Sequence, residues 1–253
     1  MRTRAGIILQ ARLESSRLPG KALARIGGRT ILEHCLRRLT CAGVAPVVLA
    51  TTTRSEDDAL EQIAHGLGVR VFRGEVHDVL GRYVRAADAF GFDTIVRATG
   101  DNPATDIQAP GRLLSALRSN DADYACEEGL PYGAAVEAVT RDALARAHRE
   151  ATQAEDREHV TLYVRRHPQS FGVLIVPAPA PLRRPDVRVT VDTARDLEHV
   201  RELFARTGSD MPSLAQLIAV AGRSRRAHAS AVAKATADTS ACAGTSTCAE
   251  RVA

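Results

Sequence analysis

"GIILQARLESSRLPGKAL", residues 6–23, runs from an apolar stretch directly into a loop that carries Arg12, Arg17 and Lys21 around a Pro-Gly turn. The apolar residues predict a strand over 6–11, because a short run of this kind bounded by turn residues marks a strand buried on both faces. In an open parallel sheet, ligands bind beyond the carboxyl ends of the strands, so the cationic loop falls where a nucleotide would sit. Arg17 and Lys21 can offer charge-assisted hydrogen bonds to a polyphosphate, and Gly20 lets the backbone approach it closely. A solvated basic loop has the same composition, and the loop alone does not decide between the two. Two common phosphate motifs are excluded. A P-loop needs G-x-x-x-x-G-K-[ST], but Ser15 stands at the first Gly and Ala22 at the Ser/Thr; a G-x-G-x-x-G is absent as well.

Working outward, Thr30 and Glu33 form a capping-box pattern, after which Ile31, Leu32, Cys35, Leu36 and Leu39 line one helix face. Strands are expected over 46–52, 70–74 and 93–99, with helices over 57–67 and 77–90 between them, and Gly68 ends the first of these helices. This βαβαβαβ opening predicts an α/β chain with a mixed, mostly parallel sheet and helices on both faces. In the second half the expected strands are 123–126, 134–139, 171–177 and 187–192, and the expected helices 141–151, 155–166 and one capped by Thr193 and Asp196. His34 and His199 are expected on helix surfaces, and Tyr83 and Phe90 in the packing.

A chain of 253 residues, 45% hydrophobic, can bury the core of one large domain. Residues 1–222 are read as that domain and 223–253, rich in Ala, Ser and Thr, as a low-complexity tail with too little to bury. The formal charge of +4 is concentrated there: Arg223, Arg225, Arg226, Lys234 and Arg251 face only Asp238 and Glu250. The body is near neutral and lacks interleaved aromatic residues, so no nucleic-acid partner is expected. No apolar run approaches the ~20 residues that span a bilayer, and the start is too short for a signal-peptide core. The expectation is a cytoplasmic protein without membrane contact. Five cysteines without paired C-x-x-C spacing read as free thiols.

Polyphosphate chemistry calls for a divalent cation held by a few carboxylates. Asp101, in "RATGDNP" after the fourth strand, and Asp192, at the end of "VRVTVD", occupy strand ends facing the same crevice. A turn and a helix cap are the competing explanations for these two residues.

Several stretches, "ILQARLESSRLPGKAL", "VVLATTTRSEDDALEQIAHGLGVRVFRGEVHDVLGRYVRAA", "IVRATGDNP", "EDREHVTLYVRRHP" and "VTVDTARDLEHVREL", together resemble the cytidylyltransferase family of SpsF-like proteins, related to the CMP-sugar-acid (acylneuraminate and KDO) synthetases. The resemblance covers roughly residues 5–205 in order. It implies a Rossmann-like nucleotide-diphospho-sugar transferase fold, and transfer of CMP from CTP, with Mg2+, to a small acceptor: a sugar acid, a sugar phosphate or a phosphonate. It further implies that Gln10, Ala11 and Arg12 seat the nucleotide over a floor of Thr99 and Gly100, that Arg17 and Lys21 grip the phosphates, and that Arg73 lines the nucleotide pocket. Asp101 and Asp192 would ligate magnesium, Tyr132, Glu137, Glu158 and His159 would face the acceptor, and a homodimer is a family habit. Two departures stand out. Glu14 puts an anion in the phosphate loop, where it must turn away or pair with an Arg, and "PYGAAVEAV" lacks the acidic residue usual before the V-E-V stretch.

Two rivals remain open at this stage. Asp121-Ala-Asp123 has the D-x-D form of a sugar-nucleotide glycosyltransferase, and a non-catalytic nucleotide-binding protein would tolerate Glu14.

Overall fold

Successive side chains of a strand point to opposite faces, and in the first strand both faces are covered. In the computed structural model, which describes residues 4–223, Ile7 and Leu9 pack with one apolar cluster and Ile8 with another. Among the described residues seven strands share one sheet: β1 (Ala5–Gln10), β2 (Val47–Thr52), β3 (Arg70–Gly74), β4 (Thr94–Thr99), β5 (Tyr124–Glu128), β6 (Glu137–Thr140) and β7 (Val173–Pro177). Their spatial order is β3-β2-β1-β4-β6-β5-β7. β6 runs antiparallel to both neighbours, and every other pairing is parallel.

The helices are α1 (Ile31–Cys41), α2 (Asp58–Gly66), α3 (Val79–Phe90), α4 (Ala109–Ser119), α5 (Arg141–Glu150), α6 (Ala154–Glu158), α7 (Leu162–Arg166) and α8 (Ala194–Thr207), followed by α9 over 214–223. Leu32 and Leu36 of α1, Leu113 of α4 and Val200 of α8 belong to the same apolar cluster as Ile7 and Leu9. Leu80 and Tyr83 of α3 and Leu144 of α5 belong to the cluster of Ile8. Such doubly covered strands show no apolar-polar alternation, which is why β2 is buried at all six positions. The Thr30–Glu33 capping box closes as expected: the Glu33 amide donates to Thr30 Oγ1 at 3.2 Å and the Thr30 amide to Glu33 Oε2 at 2.6 Å. Gly68 follows α2 with φ of 69°, a backbone state that glycine takes without cost.

The structure corrects three expectations. The helix over 155–166 is two short helices, α6 and α7, parted at Val160, whose φ of 26° lies in the left-handed region. Burial explains why a β-branched residue tolerates that state: Val160 is completely enclosed in the cluster beneath α3 and α5. The stretch 187–192 is extended but belongs to no strand; its single bridge joins Arg188 to Tyr132. Its backbone bonds go to loops instead, with Val189 donating to the Tyr132 carbonyl at 2.8 Å and Val191 to the Asp101 carbonyl at 2.9 Å. His34 is buried, with Nε2 at 2.9 Å from the Ile26 carbonyl and its ring edge-on to Phe204. Burial pushes its imidazole below the ordinary value. The Asp121-Ala-Asp123 triplet borders the sheet: Asp123 lies just before β5, at the opposite sheet end from the residue 11–21 loop, where it accepts from the Gly172 amide at 2.9 Å and faces the Thr140 hydroxyl at 3.3 Å. Asp123 thus secures the start of β5 against the segment before β7, and neither aspartate lines the crevice. The tail expected over 223–253 lies, from residue 224 on, outside the described residues.

No helix among the described residues is long and apolar enough to cross a membrane.

Leu36 is fully buried between α1 and the sheet. Leu36→Ala is expected to cost about 3 kcal/mol of stability, and Thr30→Ala, which opens the capping box, about 1 kcal/mol. Urea unfolding of the two variants measures both, and equal losses would contradict this account of α1.

Candidate active site

β1 and β4 are neighbours in register, with Gln10 opposite Thr99, so the loops that follow them leave the sheet side by side. The Gly100 amide donates to the Gln10 carbonyl at 2.8 Å and holds the two exits together. A Cβ at Gly100 would lie 2.8 Å from the Ala11 Cβ, so the close approach requires glycine. The loop 11–21 is closed on itself by the Gly20 amide on the Leu13 carbonyl at 3.1 Å, with Gly20 at φ of 68°. A buried carboxylate that the sequence pattern does not flag anchors it: Asp57 Oδ1 accepts the Leu13 amide at 2.8 Å, while Oδ2 accepts the Thr52 hydroxyl.

The loop delivers Lys21 to the point expected from its sequence position. Its Nζ donates to Asp101 Oδ2 at 3.0 Å, to Asp192 Oδ1 at 3.2 Å and to the Val191 carbonyl at 3.2 Å, which uses all three ammonium hydrogens. Arg17, more than half exposed, donates to the same Asp192 oxygen at 2.8 Å. Glu14 pairs with Arg54 at 2.7 Å, as an anion in this loop must. Arg12 pairs with Glu158 at 2.9 Å across the crevice.

Two cavities meet here. The first, about 430 Å³, is lined by Gln10, Ala11, Arg12, Arg17, Lys21, Thr99, Gly100, Asp101, Glu158 and His159. The second, about 530 Å³, holds Tyr132, Glu137 and Asp192, and shares Arg17, Thr99, Asp101 and His159 with the first. The break between α6 and α7 falls directly after Glu158 and His159, the two residues that wall the first cavity from that side.

Arg73 is the exception among the expected site residues. It lines neither cavity; its guanidinium is held by Asp58 at 2.5 Å and Glu61 at 2.8 Å and donates to the Thr52 and Arg54 carbonyls. Two acids from α2 outcompete the crevice for it. Glu137 does line the second cavity, but as a supporting group: Arg97 and the Tyr124 hydroxyl donate to it at 2.6 Å and the Thr161 hydroxyl at 2.9 Å. Burial pushes its carboxyl up, and Arg97 with the hydroxyls outweighs that and holds it below the ordinary range. Arg188, not flagged by the sequence pattern, clasps Asp196 through two hydrogen bonds, at 2.7 and 3.0 Å, and reaches Asp192 Oδ2 at 3.0 Å.

Among the described residues, no cluster of three or more His, Cys, Asp or Glu is arranged to hold a metal ion. Asp101 and Asp192 nonetheless converge on one ammonium, which shows that two carboxylate oxygens can face one cation. That donor set fits Mg2+, which binds through one or two carboxylates with substrate phosphates and water completing its shell.

A cytidylyltransferase family model matches residues 6–230. The chain belongs to the cytidylyltransferase family. As such it is a nucleotidyltransferase of the nucleotide-diphospho-sugar transferase fold. It is 35% identical over 207 residues to the spore coat polysaccharide biosynthesis protein SpsF of Bacillus subtilis, covering 79% of this chain and 86% of that one. An uncharacterized protein of Methanocaldococcus jannaschii is 39% identical over 197 residues, with 78% and 81% covered. Among solved structures, a cytidylyltransferase from Leptospira borgpetersenii superposes with a TM-score of 0.84 at 30% identity, over 89% of this chain and 96% of that one. A CMP:2-keto-3-deoxy-manno-octonic acid synthetase complexed with CTP shares the fold, with a TM-score of 0.61 at 23% identity over 81% and 99%.

Two outcomes check the placement of these groups in the cytidylyltransferase. Arg73→Met is expected to lower the unfolding midpoint while leaving nucleotide KM unchanged; a raised KM would return Arg73 to the pocket. Asp196 is held far below the ordinary carboxylate range, chiefly by Arg188. Its contribution to stability is therefore present above the unfolded-state value, about pH 4, and is lost as pH falls through the depressed folded value. Denaturant unfolding between neutral and acid pH should show Asp196→Asn with a flatter acid limb than the wild type.

Proposed function

We propose that this cytidylyltransferase transfers CMP from CTP to a small acceptor, with release of pyrophosphate, using Mg2+ held by Asp101 and Asp192. The convergence of Lys21 and Arg17 with both carboxylates at the shared wall of two cavities carries the reading. CTP in the octonic acid synthetase of the same fold supports the choice of nucleotide.

The first cavity seats the nucleotide, with Gln10, Ala11 and Arg12 on one side and Thr99 and Gly100 as floor. The second takes the acceptor, between Tyr132 and the Arg97–Glu137 pair, with His159 at the junction. An acceptor oxygen attacks the α-phosphorus in line; a P–O bond forms there while the bond to the β-phosphate oxygen breaks, pyrophosphate leaves with the electron pair, and the proton of a hydroxyl acceptor passes to water. In such transfers the protein contributes mainly positioning and charge neutralisation. Lys21 and Arg17 exchange carboxylate for phosphate oxygens and stabilise the leaving pyrophosphate. Bound Mg2+ supplies neutralisation of phosphate charge. Asp101 and Asp192, relieved of Lys21, would hold the cation. A sugar acid, sugar phosphate or phosphonate all fit a polar cavity of this kind, and a sugar acid is the first choice because relatives sharing about half the chain are named 3-deoxy-manno-octulosonate cytidylyltransferases.

A pyrophosphate-release assay with each nucleoside triphosphate, Mg2+ and a panel of these acceptors tests the proposal. CTP should be preferred, and Asp101→Asn and Asp192→Asn should each lower turnover by about 10²–10³-fold. Near-normal turnover in both variants would refute the assignment of the carboxylates.

A further inference from the structure

Asp192 is held from both sides. Its Oδ1 takes Lys21 and Arg17, and its Oδ2 takes Arg188. The Arg188 guanidinium reaches it from a fixed position: Asp196 clamps it with both carboxylate oxygens, and its Cζ lies 4.8 Å from the centre of the Tyr132 ring. Asp196 is itself locked, because it closes the capping box of α8 with Thr193 and accepts the Asp192 amide at 3.1 Å. The Arg188 backbone is pinned as well, through the pair of hydrogen bonds that join its neighbours Val187 and Val189 to Tyr132.

We propose that Arg188 is a positioning residue of the site, whose planar guanidinium, stacked on Tyr132 and clamped by Asp196, fixes Asp192 with Oδ1 turned toward Asp101. The inference rests on the reading of Asp101 and Asp192 as the groups that hold the divalent cation. A carboxylate that meets a cation through one oxygen is free to rotate unless its other oxygen is bonded, and partners behind a ligand usually set affinity or rate by 10–100-fold. Lysine cannot replace arginine here, since an ammonium lacks the planar fork that serves two carboxylates and a ring face together. Arg188 needs no contact with either substrate for this role.

Mn2+ serves as the probe, because its free ion is counted directly by electron paramagnetic resonance. The full chain is titrated with Mn2+ in the presence of CTP as wild type, Arg188→Lys and Tyr132→Leu. The Arg188 side chain is 41% exposed and Tyr132 60% exposed, so both variants are expected to fold, with the thermal midpoint as the check. Arg188→Lys should weaken Mn2+ binding by about tenfold. It should leave CTP affinity measured without metal unchanged, since Lys21 and Arg17 are intact. Tyr132→Leu should shift Mn2+ binding in the same direction by a smaller factor, although Tyr132 bonds to neither carboxylate. Unchanged Mn2+ binding in Arg188→Lys, or a loss that only tracks the folded fraction, overturns the inference alone. A wild type that holds no Mn2+ with CTP overturns the reading of the carboxylates, and this inference with it.

Discussion

The Lys21 ammonium sits 3.0 Å from Asp101 and 3.2 Å from Asp192, and it is the only point where the first strand's loop, the fourth strand's loop and the extended segment before α8 share an interaction among the described residues. Two aspartates brought to one spot repel each other and lose hydration, a cost that neighbouring cations offset. Lys21, Arg17 and Arg188 supply that offset. Under the proposed function this arrangement is an exchange site: a triphosphate would offer the ammonium and guanidinium a denser charge than the carboxylates do, and a divalent cation would offer the carboxylates a replacement.

The fold provides this spot at little local expense. Parallel β1 and β4 release their loops at one end, Gly100 allows those exits to touch, and Asp57 holds the longer loop at its start. Residues 187–191 act as a seam between the loops after β4 and β5, since Val191 bonds to Asp101 and Val189 to Tyr132. The Asp101–Asp192 end and the Tyr132 end of the crevice are therefore parts of one hydrogen-bonded layer. The left-handed Val160 adds the remaining wall by ending α6 just past Glu158 and His159. A buried β-branched residue in that state is sustained only by surrounding packing, a pattern that concentrates at functional sites.

Much of this was readable before any coordinates. Capping boxes at Thr30 and Thr193 are local signals, and apolar runs such as residues 6–11 and 46–52 leave few alternatives to buried strands. Lys21, Arg17 and Asp101 were legible because strand-end position in an open sheet predicts convergence; Asp192 reaches the same point from an extended segment outside the sheet. What escaped was settled by distant partners. Arg73 looks like a pocket residue until Asp58 and Glu61 capture it; Arg188 looks like an ordinary strand residue until Asp196 folds back on it. The alternation V-R-V-T-V at 187–191 predicts a strand, yet the adjoining backbone is loop, and no local pattern encodes that. Nor does a valine announce a helix break, since its own preference opposes the φ it adopts.

A crystal structure of the chain with a non-hydrolysable CTP analogue and Mn2+ tests the central claim most directly. The account predicts an anomalous manganese peak bound by both Asp101 and Asp192, with the Lys21 ammonium moved from the carboxylates onto the phosphates. A triphosphate bound with Lys21 still locked between the two aspartates, or manganese bound away from them, would contradict it.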